Sequence, residues 1–258
     1  MNRLAAVLLG VALLAGCGGG GPSADEVLKD TASNLGKLRS GVLGMKLLVT
    51  PQGQGQPFGF ELHGPFALRR AGLPVARISY TQIADGNRST ATLVSNGSTA
   101  YIETADGTRR PLDAAQAETL SQAGRQAAGA GGVGRVVVGR WLKDADASDG
   151  GSGMDKVTAE LDVREAVAGL LDAARLAGQN VPRLSEDDLK QVEDAVRSTS
   201  FVLYSGKRDR LLRRLQMSVD FGFDVPEKLR QTLGDLVGAK VDFELRVDRP
   251  NGRVSVRG

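Results

Sequence analysis

Two stretches near the C-terminus alternate so regularly that they restrict the fold before anything else is considered. In residues 211–223, Leu211, Leu215, Met217, Val219, Phe221 and Phe223 fall on one face, and Arg214, Gln216, Ser218 and Asp220 on the other. In residues 241–248, Val241, Phe243, Leu245 and Val247 alternate with Asp242, Glu244, Arg246 and Asp248. Period two belongs to a β-strand, whose successive side chains point to opposite faces. Repeated over several strands, it predicts an antiparallel sheet with one dry face and one wet face.

The first half of the chain carries the same signal. Leu43, Met45, Leu47 and Val49 share one parity, and Phe58, Phe60 and Leu62 alternate with Gly59, Glu61 and His63. Residues 51–57 and 69–74, rich in Gly and Pro, read as turns. A third strand is expected around Ala76, Ile78 and Tyr80. Two more flank Ser95-Asn96-Gly97-Ser98, because Asn-Gly is a strong hairpin signal. Residues 42–104 therefore read as a meander of about five strands. Past the middle, residues 157–163 read as a strand, and Pro250-Asn251-Gly252 as a turn into a short closing strand at Val254 and Val256.

A one-sided sheet of eight to ten strands must cover its apolar face. Four helices are available. Ser23-Ala24-Asp25-Glu26 is a capping box, and Val27, Leu28, Thr31, Leu35 and Leu38 follow at helical spacing, so residues 23–38 are expected to be helical. Residues 112–128, 164–177 and 185–198 supply the others, while residues 144–153 read as a polar loop. The expected class is α+β: a curved antiparallel sheet, or half-barrel, with helices packed on its concave face. Aromatics are only 4% of the chain, so the interior must rest on aliphatic side chains. Periodicity does not decide whether sheet and helices meet in a packed core or leave a cavity.

The N-terminus carries a different constraint. Arg3 precedes an apolar run over residues 4–14, which ends in Leu14-Ala15-Gly16-Cys17. A positive start, a short apolar stretch and small residues form the layout of a secretory signal, and the run is too short to span a bilayer. Leu14-Ala15-Gly16-Cys17 resembles the lipobox of bacterial lipoproteins, in which the cysteine is acylated and becomes the new N-terminus. Residues 1–16 are then a removable leader, 17–22 a lipidated glycine tether, and 23–258 a single domain. Cys17 is the only cysteine, so no disulfide is expected. Acyl chains hold such a protein on the extracytoplasmic side of a membrane in the cell envelope.

With the tether, the leading helix, the long meander, the interrupting helices and the returning strands in view, the chain resembles the LprG/LppX lipoproteins of actinobacteria. More distantly it is similar to the LolA/LolB lipoprotein carriers. That resemblance implies an apolar cavity between sheet and helices that takes acyl chains. The ligand it implies is a lipid or glycolipid, with no cofactor. Cavity-lining candidates on the dry face are Phe58, Phe60, Leu62, Met217, Val219, Phe221, Phe243 and Leu245. Two basic clusters, Arg69, Arg70 and Arg77, and Lys207, Arg208, Arg210, Arg213 and Arg214, are candidates for anionic headgroups. Of these, Arg69, Arg70, Arg208 and Arg213 are singled out as headgroup or rim residues, Arg213 because it shares the parity of an apolar face.

Other chemistries lack support in the residues. Lys and Arg number 33 against 30 acidic residues, an excess too small to suggest a nucleic-acid partner. His63 is the only histidine and sits on the polar side of its strand. Neither a Ser/His/Asp arrangement nor a zinc site follows from it. Gly129-Ala130-Gly131-Gly132-Val133-Gly134 matches a dinucleotide-binding spelling, but it follows a helix rather than a strand. The competing non-enzymatic reading is an anchored interaction module with a dry core, for example an accessory subunit of an envelope transporter.

Overall fold

A computed structural model describes residues 21–53, 55–129, 141–176, 185–222 and 237–255. The leader, Cys17, most of the glycine-rich stretch and the following Arg135-to-Arg140 run, Phe223 and Val256 lie outside the described residues.

The described chain forms eleven strands: β1 (Ser40–Gln52), β2 (Phe58–Ala67), β3 (Val75–Ala84), β4 (Asn87–Asn96), β5 (Ala100–Thr104), β6 (Arg109–Pro111), β7 (Leu142–Gly151), β8 (Met154–Leu161), β9 (Val196–Gly206), β10 (Leu212–Gly222) and β11 (Gly238–Asp248). Four α-helices accompany them: α1 (Ala24–Asn34), α2 (Ala114–Gly129), α3 (Val163–Leu176) and α4 (Glu186–Asp194). All strands belong to one open antiparallel sheet, ordered β6-β5-β4-β3-β2-β1-β11-β10-β9-β8-β7. The class is α+β, a half-barrel. Two meanders, β1–β6 and β7–β11, are joined by β1 pairing with β11 from Val42↔Asp248 to Gln52↔Gly238. The sheet can curl at β2 because two of its residues have no side chain. A Cβ on Gly59 would lie 2.0 Å from the Leu47 carbonyl oxygen, and one on Gly64 1.9 Å from that of Arg77.

The helices form where the sequence signals start them. At α1 the Ser23 hydroxyl accepts from the Glu26 amide, and the Glu26 carboxylate accepts from the Ser23 amide. Ser185 and Asp188 make the same reciprocal cap at α4. Ala24, Val27 and Leu28 of α1 and Val163 of α3 pack with Val157, Leu161, Phe201, Leu203 and Leu212, with Val167 of α3 and Val192 of α4 against them. At the other wing, Leu73, Ala76 and Ala100 are buried. There the Ser121 hydroxyl of α2 donates to the Gly72 carbonyl, and Gly124 packs on Pro74. Among the described residues no helix is long and apolar enough to cross a membrane.

Several local readings change. The polar loop expected at 144–153 is mostly β7, an edge strand. Its aspartates face water, Ala147 and Leu142 turn to the core, and two register shifts break its pairing with β8. Charge and bulges are how an edge avoids pairing with another chain. The helix expected to run to Ser198 stops at Asp194, and β9 begins two residues later. That strand is interior to the sheet, and its Phe201, Leu203 and Ser205 alternate with Val202 and Tyr204. Residues 251–255 form no strand. Instead the Asn251 side chain accepts from the Arg39 amide and donates to the Lys37 carbonyl, tying the C-terminal turn to the start of β1.

Candidate functional site

The strand registers bring the eight apolar candidates together on one face. One row across the sheet runs Tyr80–Leu62–Met45–Leu245–Leu215–Leu203, from β3 through β2, β1, β11 and β10 to β9. The next is Gln82–Phe60–Leu47–Phe243–Met217–Phe201, and the third Phe58–Val49–Val241–Val219–Thr199. Phe221, opposite Ala239, continues the face toward the end of β10. Six strands at the usual spacing span about 24 Å. The Phe60 and Tyr80 rings stack with centroids 6.1 Å apart.

Cover on this face is uneven. Phe201 is 1% exposed and Val157 0%, beneath α1, α3 and α4. Across β1, β2, β10 and β11 the same rows are only half-buried. Phe58 is 50% exposed, Tyr80 42% and Val237, which leads into β11, 49%. Apart from Tyr80 and Gln82 at its β3 edge, this half-buried run of aliphatic and aromatic side chains offers no hydrogen-bonding chemistry. What it can do is take apolar surface out of water.

The opposite face is mostly polar, and its side chains largely pair with one another, although the buried Tyr101 hydroxyl there has no hydrogen-bond partner among the described residues. Ser79 and Thr92, and Thr81 and Thr90, share hydroxyl hydrogen bonds across strands. Lys46 and Arg88 flank Glu61, Arg77 pairs with Glu103, and Arg214 with Glu244. His63 lies exposed on this face, opposite Gly44. Among the described residues no three His, Cys, Asp or Glu side chains converge as a metal requires.

The basic candidates lie at the end of the sheet opposite Phe58. Arg69 and Arg70 are exposed in the β2–β3 connection, and Arg208 in the β9–β10 turn. None of the three makes an ion pair among the described residues. Their neighbours are engaged: Lys207 with Asp149, Arg210 with Asp155 and Asp30, and Arg213 with Asp209. Partial burial opposes ionisation of Asp209, but the Arg213 and Leu211 N–H donors outweigh it and hold the carboxyl below the ordinary range. Arg213 is the extra residue of a bulge between the pairs Leu212↔Ser205 and Arg214↔Tyr204, so counting by twos does not assign its face.

Met45, Leu47, Val49, Val241, Leu215 and Tyr80 complete the rows without having been singled out above. Their alternation was visible, but their neighbours were not, because β1 and β11 meet from opposite ends of the chain. No known family model matches the chain, and no curated protein does. Among solved structures the chain is similar to LprF from Mycobacterium bovis, at 14% identity and a TM-score of 0.49, over 91% of this chain and 96% of that one. It is also similar to a DUF1329 family protein from Desulfovibrio piger, at 10% identity and a TM-score of 0.24, over 88% and 95% of the two chains. The site is defined by its strand registers independently of these likenesses.

Proposed function

We propose that this protein is a membrane-anchored lipoprotein that binds acyl chains of a lipid or glycolipid on the apolar face of its sheet, without catalysis. In this reading residues 1–16 are removed, Cys17 carries the anchor, and residues 23–258 act as one lipid-binding domain. The observation that carries the proposal is the set of three apolar rows crossing β2, β1, β11 and β10 while remaining only half-buried, with Phe58 exposed. Leaving that much hydrocarbon surface in partial contact with water is costly at about 25 cal/mol per Å², and an acyl chain lying along the rows removes the cost. Phe58, Phe60, Leu62, Met217, Val219, Phe221, Phe243 and Leu245 are the lining residues. Arg69, Arg70 and Arg208 are free to meet anionic groups.

Native followed by denaturing mass spectrometry of the mature protein, purified gently from a host of its native type, tests this reading. A stoichiometric lipid released on denaturation is the expected result. A bare polypeptide under both conditions, with no uptake of added phospholipid or glycolipid, would overturn it and favour a protein-docking module.

A further inference from the structure

The antiparallel order places the start of β1, the β2–β3 connection, the β9–β10 turn and the end of β11 at one end of the sheet. Hydrogen bonds make these segments contiguous. The Leu68 amide donates to the Arg39 carbonyl at 2.7 Å, and the Arg39 amide to Asn251 Oδ1 at 2.7 Å. Asn34 Nδ2 donates to the Asp209 carbonyl at 3.1 Å. Lys37, Arg39, Arg69, Arg70, Arg208 and Arg249 are exposed on this end, and none makes an ion pair among the described residues. Of the nearby acids, Asp149, Asp209 and Asp248 are already held by Lys207, Arg213 and Arg246, and the exposed Asp25, Glu26 and Asp113, outside any salt bridge among the described residues, are fewer than these cations. At the far end the balance reverses: Asp85, Asp144, Asp187 and Asp194 are exposed and outside any salt bridge among the described residues, against the exposed Lys190 and Arg197.

The chain enters the fold at the cationic end. Gly21 and Pro22, with Asp149, Asp155, Lys207 and Arg210, line an open cavity of about 550 Å³. Cys17 precedes Gly21 by four residues, which reach at most about 14 Å when extended. We infer that this end is a docking surface for the anionic phospholipid headgroups of the anchoring membrane, which holds the half-barrel upright with Phe58 and Val237 pointing away from the bilayer. The position of the anchor rests on the reading of Cys17 proposed above; the charge separation does not.

The test is amide hydrogen exchange on the mature acylated protein in phosphatidylcholine vesicles, with and without phosphatidylglycerol. Docking predicts several-fold slower exchange at residues 36–39, 68–72, 207–210 and 249–252 on the anionic vesicles, and no change at the Asp85-Gly86 turn. The difference is expected to vanish at high salt, and in the chain carrying Arg69→Glu, Arg208→Glu and Arg249→Glu, all at exposed turn positions. Equal exchange on the two vesicles, or protection at the Asp85 end, would overturn the inference. An intact mass without an acyl group on Cys17 would count against the anchor alone. Docking would then be judged by cosedimentation of the same chain with anionic vesicles at low salt, where binding supports it and no binding overturns it.

Discussion

The two halves of the apolar face have the same kind of side chains and different fates. Under α1, α3 and α4, Phe201, Val157 and Leu203 are sealed from water. Two to four strands from Phe201, Phe243, Leu47 and Phe60 continue the same row half-covered, and Phe58 beside them is 50% exposed. The covered half has what a stable core needs: helices capped at their starts and a polar pair satisfied in the interior. Thr31 Oγ1 donates to the Val27 carbonyl at 2.6 Å and lies 2.7 Å from Ser205 Oγ, both side chains being buried. Nothing of the kind is built over β1 and β2 among the described residues. One half is organised for stability and the other keeps its hydrocarbon available.

The comparison can be broken most directly by truncation. Phe201→Ala removes a fully buried ring and is expected to cost about 3–5 kcal/mol of unfolding free energy, whereas Phe58→Ala is expected to cost under about 1 kcal/mol. Urea denaturation of the two variants measures the contrast, and equal losses would mean that the halves are not distinct. Next in size is the buried hydroxyl pair. Thr31→Val leaves Ser205 without its partner and should cost about 1–3 kcal/mol, while the double variant Thr31→Val with Ser205→Ala recovers much of that loss. A smaller effect tests the helix cover: Ser23→Ala removes the α1 cap at about 1 kcal/mol, read as a lower denaturation midpoint.

Acid should act on the covered half through Asp162. Partial burial pushes its carboxyl up, but the Lys143 ammonium at 2.8 Å and the Glu165 amide prevail and hold it below the ordinary carboxylate range. A carboxyl depressed by folding contributes stability above its unfolded pKa, and that contribution is lost as pH falls through the folded value. Stability is therefore expected to fall below about pH 4. Asp162→Asn should flatten that limb while keeping a side chain able to cap α3. An unchanged acid limb would show that this pair contributes nothing measurable.

Much of this fold was legible because it rests on local signals. Alternation in residues 43–49, 58–62 and 241–247 marks β1, β2 and β11, and the Ser23 and Ser185 boxes mark two helices. The Asn96-Gly97 pair marks the β4–β5 hairpin. What escaped was decided by neighbours distant in sequence. The aspartates of β7 read as loop because only an edge strand keeps so many of them in water. Val196 and Arg197 read as helix because they follow one without a stop signal, although β10 draws them into the sheet, Val196 opposite Phe221 and Arg197 in the bulge beside it. The site was half legible: parity put Phe60, Met217 and Phe243 on dry faces, but only the β1–β11 pairing makes those faces one surface. Charge was the least legible property. Arg69 and Arg213 look alike in the sequence, yet a bulge and Asp209 engage one and leave the other exposed.

Photocrosslinking with a phospholipid bearing a diazirine on its acyl chain, followed by peptide mapping of the mature protein, tests the central claim most directly. The account predicts adducts concentrated on β1, β2, β10 and β11 at Leu47, Phe60, Met217 and Phe243, with none at Phe201 or Val157. Adducts confined to the polar face, or spread evenly over the surface, would contradict it.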